Sequence, residues 1–320
     1  MGFARHCNKV RLSAMNLPPR TDSPVKALCY LLSAVLMFES VGVCAKLLSG
    51  EMTLYTKVFA RSFFALLPLG LMLLWLRNKA LLRTPQPKLH LLRGVIGFAT
   101  LLTNFYAITH MPLAQVTAIQ FTMPFFMMLL AAFWLGETLT PVRLGAVVLG
   151  FGGALLTTYD ELSATATLSL ATMAAFASAF LGGASGVIIR RLTTTDASIT
   201  IAFYFSLSAT IFSLFLLPFG FVVPGGRDLL LLVGMGVLGG TAQLLLTQAY
   251  RYGQVSVIAP YEYSALLWAI GFGWLFFADI PTLLMLAGAG IIVAADILVF
   301  WHEEKQKKRD RASTVAAMPA

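Results

Sequence analysis

The length and composition of this chain exclude a soluble globular protein. Of its 320 residues, 58% are hydrophobic and 12% are charged, and the mean hydropathy is +0.81. A net charge of +9 would suit a nucleic-acid-binding protein, but the positions of the 23 Lys and Arg residues favour a membrane protein instead. Three cysteines without a C-x-x-C pair predict neither a disulfide framework nor a metal site, and we expect no cofactor.

Ten apolar segments of about 20 residues each predict membrane-spanning helices, because about 20 helical residues cross the hydrocarbon layer. The segments are too long and too evenly apolar for a β-barrel, so the predicted fold class is an all-α integral membrane protein. We place the ten spans at residues 26–49, 56–76, 91–110, 113–136, 141–158, 168–189, 198–221, 228–250, 255–278 and 281–301.

One apolar segment occurs twice in the chain, at an offset of 142 residues. The two copies are residues 111–136 and 253–278. At this offset Glu262 aligns with Gln120, and Tyr263 aligns with Phe121. The offset predicts two repeats of five spans, and because five is odd the repeats must cross the membrane in opposite directions. The predicted organisation is a basic N-terminal tail at 1–25, repeats at 26–158 and 168–301, a linker at 159–167 and a disordered tail at 302–320.

The basic residues predict that both termini lie in the cytoplasm. With that orientation, all Lys and Arg residues, Arg93 among them, lie on the inner side except Lys46, Lys57, Arg61 and Arg227. This asymmetry accounts for the net charge without a nucleic-acid partner. Residues 1–25 lack the apolar core of a cleavable signal peptide, and Met15 is an alternative start site.

The longest motif is NFYAITHMPLAQVTAIQFTMPFFMMLLAAFWLGETLTPVRLGAVVLGFGGALL, from Asn104 to Leu156, which recurs more weakly from Gln248 to Leu298. With Lys46 ending the first span and Arg61 beginning the second, the chain resembles the EamA-like branch of the drug/metabolite transporter (DMT) superfamily over residues 26–301. The resemblance implies a ten-helix secondary transporter of the inner (plasma) membrane. It leaves the substrate open, because that family carries amino acids, nucleotide-like metabolites, vitamins and drugs. One departure from the family pattern is expected at 278–281, which we interpret as a turn two residues shorter in the second repeat.

Two carboxylates inside predicted spans are candidate binding groups. Glu39 lies about 15 Å from the outer end of its span and Glu262 about 10 Å from the inner end of its own. They could bind an ammonium or guanidinium group or take up a proton, or they could be hydrogen-bond partners between helices. Arg61, about 6 Å below the outer end of its span, could reach an anionic substrate group or Glu39, or extend to the headgroups.

Further polar and aromatic side chains are predicted to line a substrate cavity: Asn104, Tyr106, Gln120, Gln243, Tyr263 and Trp268. The alternative for the polar ones is a hydrogen bond between helices. We interpret Asp296 as an interfacial or packing residue. Pro124 and Pro260 are expected to break their helices, as in many transporters, and the pair Gly236 and Gly240 is expected to pack helices within the chain.

The sequence favours outward transport of a small metabolite, an amino acid or amine-bearing derivative, by alternating access, with protons as a candidate coupling ion. The alternative is uptake or exchange of a planar vitamin or nucleoside-like metabolite, of the riboflavin or S-adenosylmethionine type, stacked on Trp268 or Tyr261. A remote alternative is an integral membrane enzyme, but the four His residues are scattered and no H-E-x-x-H, G-x-S-x-G or P-loop pattern occurs. The partners expected are the substrate and the lipid bilayer, for a monomer or homodimer.

Overall fold

The structure is a computed structural model that describes residues 23–48, 50, 52–77, 82–135, 140–165, 167–252 and 259–316. Within these residues it is all-α, with no strand, which confirms the predicted fold class. The N-terminal tail, Met15 and the start of the predicted ninth span at 253–258 lie outside the described residues.

The α-helices, numbered in chain order, are α1 Pro24–Leu47, α2 Leu54–Leu76, α3 Pro87–His110, α4 Leu113–Gln120, α5 Met123–Leu135, α6 Pro141–Thr157, α7 Tyr159–Thr165, α8 Leu170–Leu192, α9 Ser198–Leu216, α10 Gly226–Tyr252, α11 Ser264–Phe277 and α12 Leu283–Ala316. Two 3-10 helices are η1 Leu217–Phe219 and η2 Ala259–Tyr263.

Eight helical segments of the described chain are long and apolar enough to cross a membrane. They correspond to eight of the ten predicted spans, with α4 and α5 together forming one of them. The other two predicted spans are shorter in the structure: α6 has 17 residues, and α11 has 14 residues after η2. That these two segments also cross the membrane, which would give ten spans, therefore stays a prediction.

Threonines begin two helices at equivalent places. Thr140 precedes Pro141, the first residue of α6, and its side chain accepts a hydrogen bond from the Arg143 backbone amide. Thr282, exactly one repeat offset later, accepts a hydrogen bond from the Met285 amide at the start of α12. Each side chain satisfies an amide that the first helical turn leaves unpaired. The prediction of a turn two residues shorter in the second repeat is therefore wrong, because five residues separate the helices in both repeats, between Leu135 and Pro141 and between Phe277 and Leu283.

The fourth predicted span is broken, as its proline predicts. The α4 helix ends at Gln120, a turn covers Phe121 and Thr122, and Pro124 lies in the first turn of α5, where its missing amide hydrogen costs nothing. The Thr122 hydroxyl donates to the Ile119 carbonyl at 2.7 Å and so closes the end of α4. The ninth predicted span has the 3-10 segment η2 at the equivalent position, before α11.

Two predicted irregular segments are helical. The linker at 159–167 contains the seven-residue helix α7, which begins with the acidic pair Asp160 and Glu161, a charge that favours a helix N-terminus. The predicted disorder after Trp301 is wrong for residues 302–316, which continue α12. That segment is rich in Glu, Gln, Lys and Arg, whose unbranched side chains lose little freedom in a helix.

The chain divides into two compact units. Unit 1 contains Met1–Phe105 and Ile188–Glu262, and unit 2 contains Tyr106–Val187 and Tyr263–Ala320. Each unit takes helices from both predicted repeats. In unit 1, α10 packs against α1 and α2, and α9 packs against α2. In unit 2, α12 packs against α6 and α4, and α11 packs against α4.

Glycines allow the close helix contacts within both units. In unit 1, a Cβ atom on Gly94 would lie 2.6 Å from Ser208 Cβ, and one on Gly236 would lie 3.0 Å from the Ala60 carbonyl oxygen. Gly94 and Gly236 are themselves one repeat offset apart. In unit 2, a Cβ atom on Gly153 of α6 would lie 2.7 Å from the carbonyl oxygen of Gly288 in α12. Packing of Gly236 and Gly240 within the chain is confirmed, since both face α2.

Candidate functional site

The predicted site residues fall into two groups, one in each unit. Unit 1 holds Glu39, Arg61, Asn104, Gln243 and Glu262. Unit 2 holds Tyr106, Gln120, Tyr263 and Trp268.

Two arginines share one aromatic ring in unit 1. The Arg61 guanidinium of α2 lies 5.7 Å from the centroid of the Phe205 ring of α9, and the Arg93 guanidinium of α3 lies 4.1 Å from the same centroid. Arg61 is only 8% exposed, and the Nε and Nη1 atoms of Arg93 are buried without a hydrogen-bond partner. The ring gives each cation a cation-π contact, but it cannot accept the N–H hydrogen bonds that a guanidinium loses on leaving water.

The sequence counted Arg93 among the charges of the inner side and Lys57 among those of the outer side, each near the end of its predicted span. In the structure both residues lie further inside a helix. Lys57 is 1% exposed, and Arg93 lies in the second turn of α3. The physical reason is that the helices begin earlier than predicted: α2 at Leu54 rather than 56, and α3 at Pro87 rather than 91. The spacing of Lys57 and Arg61, four residues apart and therefore on one helix face, was the available signal.

The face of α3 that carries Arg93 also carries a second polar residue with a buried side-chain atom, Asn104. Gly97 and Asn104 follow Arg93 at spacings of four and eleven residues, which place all three on one side of the helix. The Asn104 Oδ1 atom is buried and has no hydrogen-bond partner. This face therefore carries unsatisfied polar atoms about 16 Å apart along the helix axis.

Two of the other polar residues of unit 1 lie on helices that pack together. Glu39 belongs to α1, and Gln243 belongs to α10, which packs against both α1 and α2. Glu262 is the last residue but one of η2. All three side chains are half-buried, and each makes a polar or electrostatic contact. A half-buried carboxylate in an apolar helix suits a functional site, since lipid alone cannot solvate it.

A second polar cluster lies in unit 2 around Tyr263. Its ring packs edge to face on Phe121, with centroids 5.2 Å apart, and its hydroxyl donates a hydrogen bond to the Asp296 carboxylate. Asp296 is 7% exposed, its Oδ2 has no hydrogen-bond partner, and its neighbours Ala295 and Val299 belong to an apolar core. The sequence indicated an interfacial or packing residue at Asp296, and its burial agrees with packing. A buried carboxylate is also a third candidate for proton uptake.

The amides of α4 make hydrogen bonds between helices. The Gln120 amide donates to the Ser178 hydroxyl of α8, and the Gln115 amide donates to the Thr157 carbonyl of α6 at 3.2 Å. Gln120 thus adopts the packing role that was the alternative to substrate binding. This contact does not exclude a substrate contact, which remains a prediction.

Two predicted aromatic residues of unit 2 differ in their surroundings: Tyr106 is half-buried against a hydrophobic core, whereas Trp268 is exposed. The Tyr106 ring packs on the exposed His110 ring, with centroids 4.3 Å apart. Trp268 is 38% exposed and lies beside Phe272, on a helix that also exposes Leu267 and Trp274. Such exposure of large apolar side chains is typical of a lipid-facing helix surface.

One polar cluster in unit 1 was not predicted. His90 Nε2 lies 3.8 Å from Asp196 Oδ2, and the His90 ring packs on Tyr204 with centroids 4.9 Å apart. The Tyr204 hydroxyl donates to the Leu82 carbonyl at 2.6 Å. These contacts join the start of α3 to the start of α9. No group of His, Cys, Asp and Glu in the described residues could hold a metal ion.

The chain is similar to known transporters. The model of the EamA-like transporter family matches residues 25–159 and 169–301. The pseudopaline exporter CntI of Pseudomonas aeruginosa (strain UCBPP-PA14) is 34% identical over 223 residues, 68% of this chain and 76% of the exporter. A Vibrio cholerae riboflavin transporter is 28% identical over 293 residues, 90% and 97% of the two chains.

Two further similarities concern uptake and fold. An S-adenosylmethionine uptake transporter of Rickettsia felis is 26% identical over 272 residues, 85% of this chain and 91% of the relative. A crystal structure that is 19% identical matches with a TM-score of 0.61, over 89% of this chain and 99% of its own. At that identity the match shows a shared fold alone.

Proposed function

Because the chain belongs to the EamA-like transporter family of the DMT superfamily, we propose that it is an inner-membrane secondary transporter with both termini in the cytoplasm, exporting a small amine-bearing metabolite. The cargo class is an amino acid or a derivative of one. The mechanism is alternating access, in which the chain opens its binding residues to one side of the membrane at a time.

The observation that carries the cargo class is the set of charged side chains inside unit 1. Glu39 and Glu262 are half-buried carboxylates, and either one suits an ammonium group. Arg61, in the same unit, suits a carboxylate. A substrate with an amine and a carboxylate would therefore meet a complementary charge at each end.

The outward direction is supported by similarity to the pseudopaline exporter, and it is testable in membrane vesicles. Everted vesicles that contain the protein should accumulate amine-bearing amino acids from a mixed metabolite pool, because export from the cell is import into an everted vesicle. Vesicles without the protein give the background, measured by mass spectrometry of the vesicle contents. Movement of neutral sugars alone would contradict the charge argument.

The second candidate function is uptake of a planar vitamin or nucleoside-like metabolite, and the riboflavin and S-adenosylmethionine relatives favour it. The rings predicted to stack on such a substrate are Trp268 and Tyr261, and Tyr263, which packs on Phe121, is a further candidate. The exposure of Trp268 weakens its part in this alternative. Right-side-out vesicles incubated with riboflavin or with S-adenosylmethionine separate the two functions: accumulation there, without amino-acid accumulation in everted vesicles, favours uptake.

We propose that the fold is a tandem repeat with opposite membrane orientation. Three observations support it. One family model matches the chain twice, α3 and α10 end at His110 and Tyr252, and α6 and α12 begin at Pro141 and Leu283. Both pairs of helix ends differ by the offset of 142 residues that the sequence contains.

A further inference from the structure

We infer that Arg61 and Arg93, whose guanidiniums both lie over the Phe205 ring, form a binding site for an oxyanion group of the transported metabolite. The inference rests on the proposed transport function and adds to it the recognition of the anionic end of the cargo. The sequence suggested this role for Arg61 alone, and Arg93 was counted among the basic residues of the inner side. The site comprises two guanidiniums, one aromatic platform and one glycine beside each arginine.

The first step is the geometry of the two cations. Since the guanidinium carbons lie 5.7 and 4.1 Å from one ring centroid, they are within about 10 Å of each other. Each arginine is about 10 Å from the first residue of its helix, α2 or α3, along the helix axis. Neither position is at a helix end, where a long side chain can easily reach the headgroups.

The two arginines place two positive charges close together in a buried region, because a guanidinium stays protonated in a protein. Within the described part of the chain, neither guanidinium forms an ion pair with a carboxylate. Burial of unpaired cations is costly, and an anion between them would remove both the repulsion and the loss of hydration.

The third step is the supply of hydrogen-bond donors and space. Arg93 Nε and Nη1 are buried donors without an acceptor, so this guanidinium has N–H groups that a carboxylate or phosphate oxygen could accept from. A Cβ atom on Gly97 would lie 2.6 Å from Phe205 Cε2 and would also meet the Arg93 guanidinium. A Cβ atom on Gly239 would lie 3.5 Å from Arg61 Nε. Glycine at 97 thus leaves the room that the Arg93 side chain occupies.

The test is ligand-dependent thermal stability of the purified full-length protein in detergent. The probes are succinate and inorganic phosphate as soluble oxyanions, butylamine hydrochloride as a cation, and short-chain phosphatidylglycerol as a lipid oxyanion. Succinate or phosphate should raise the melting temperature of the wild type in a saturable way. Arg61→Gln and Arg93→Gln should each weaken the apparent affinity at least about tenfold, the loss of a hydrogen bond to a charged group.

Matched variants separate this site from general charge effects. Arg191→Gln removes an exposed cation from the last turn of α8, and Gly145→Ala adds a Cβ where no atom lies within 4 Å. Both should keep the wild-type response. If a glutamine variant does not elute as a single species, Gly97→Ala takes its place, since it displaces Arg93 without removing a charge. Its apparent affinity for succinate should also fall at least about tenfold.

Two outcomes overturn the inference: an equal response of the wild type and the arginine variants to succinate and phosphate, or a response to phosphatidylglycerol alone. The vesicle experiment keeps the inference separate from the proposed function. Arginine-dependent succinate binding without amino-acid transport refutes the proposed cargo and leaves the site. Amino-acid transport that is unchanged in Arg93→Gln refutes the site and leaves the proposed function.

Discussion

Glu262 is the carboxylate on which we expect turnover to depend. It is the last residue but one of the 3-10 segment η2, next to Tyr263, and its equivalent in the other repeat is the neutral Gln120. If Glu262 binds a proton in one access state and the substrate amine in the other, the two flows are coupled at one group. Glu262→Gln keeps the shape of the side chain and removes the charge. Transport should be lost or become independent of pH, measured as the initial rate in everted vesicles between pH 6 and pH 8.

Glu39→Gln and Asp296→Asn are the comparisons for that experiment. Both carboxylates lie in apolar helices, and Asp296 is the more buried, with one oxygen unpartnered. A wild-type rate and pH dependence in Glu262→Gln, with loss of both in Glu39→Gln or Asp296→Asn, transfers the proton-carrying role to that residue.

At the level of single residues, the sequence identified charges more easily than their surroundings. Arg61 and Glu262 were candidates because a charge in an apolar segment is conspicuous. Arg93 was missed because a predicted helix start four residues too late placed it at a membrane boundary. Phe205 was missed because one phenylalanine among 24 has no pattern that marks it as a platform for two arginines.

At the level of helices, Glu161 of α7 stabilises the start of α8. Its carboxylate accepts hydrogen bonds from the Ser169 backbone amide and, at 2.5 Å, from the Thr172 hydroxyl. Burial raises the pKa of the Glu161 carboxyl, but these hydrogen bonds outweigh burial and hold the pKa below its ordinary value of 4.5. A depressed pKa means that the stabilisation is present at neutral pH and is lost as the pH falls below that value.

We therefore expect Glu161→Gln to speed amide hydrogen exchange at the first turn of α8 at pH 7, and to change it little at an acidic pH below the lowered pKa, where the wild-type carboxyl is protonated. Asp160→Asn, on the exposed neighbour in the same turn of α7, should leave the exchange rates of α8 at the wild-type level at both values. Equal exchange in Glu161→Gln and wild type at pH 7 would show that the contact does not stabilise α8.

The contact between α6 and α12 depends on glycine at position 288. A Cβ atom there would lie 2.8 Å from the Thr157 backbone nitrogen and 2.5 Å from the Gly153 carbonyl oxygen, and backbone atoms cannot rotate away. We expect Gly288→Ala to destabilise the protein by about 1–3 kcal/mol. Gly290→Ala, two residues further along α12 with no atom within 4 Å, should be neutral or stabilising by up to about 1 kcal/mol. Melting temperatures in detergent measure both, and equal values would contradict the packing.

Helix positions were more predictable than helix breaks. Apolar run length places most helix ends within a few residues, because the membrane thickness fixes the length of a span. Pro124 also predicted the break between α4 and α5. The helix α7 was not predicted, because seven residues are too few for a periodic pattern, and the helical continuation of α12 was hidden by a composition that also suits disorder.

At the level of the whole molecule, single cysteines at Ser163 and Ser313 test the odd repeat. Five spans between the two positions place them on opposite sides of the membrane. In a background with Cys7, Cys29 and Cys44 replaced by serine, a membrane-impermeant maleimide added to intact cells should label S163C and should label S313C only after the membrane is permeabilised. Labelling of both from the same side would refute the five-plus-five arrangement together with the proposed orientation.

The division into compact units could not be read from the sequence. The repeats are continuous in the chain, at 26–158 and 168–301, whereas each compact unit collects segments from both. Which helices pair depends on close contacts such as Gly94 with Ser208 and Gly236 with the Ala60 carbonyl. A single sequence contains the glycines but not the identity of their neighbours.

The contact between Phe121 and Tyr263 bears on how such a chain could arise. The two residues are equivalent under the repeat offset, and equivalent residues touch each other only beside a symmetry axis. In an ancestral antiparallel pair of identical half-length chains, this contact would join a residue to its own copy. Asp296, whose equivalent is Ala154, would then occur twice or not at all. If the proposed repeat arose by fusion of two such halves into one gene, the hydroxyl and the carboxylate could be inherited by one half alone, and the pair of Tyr263 and Asp296 would then occur once in a scaffold of two similar halves.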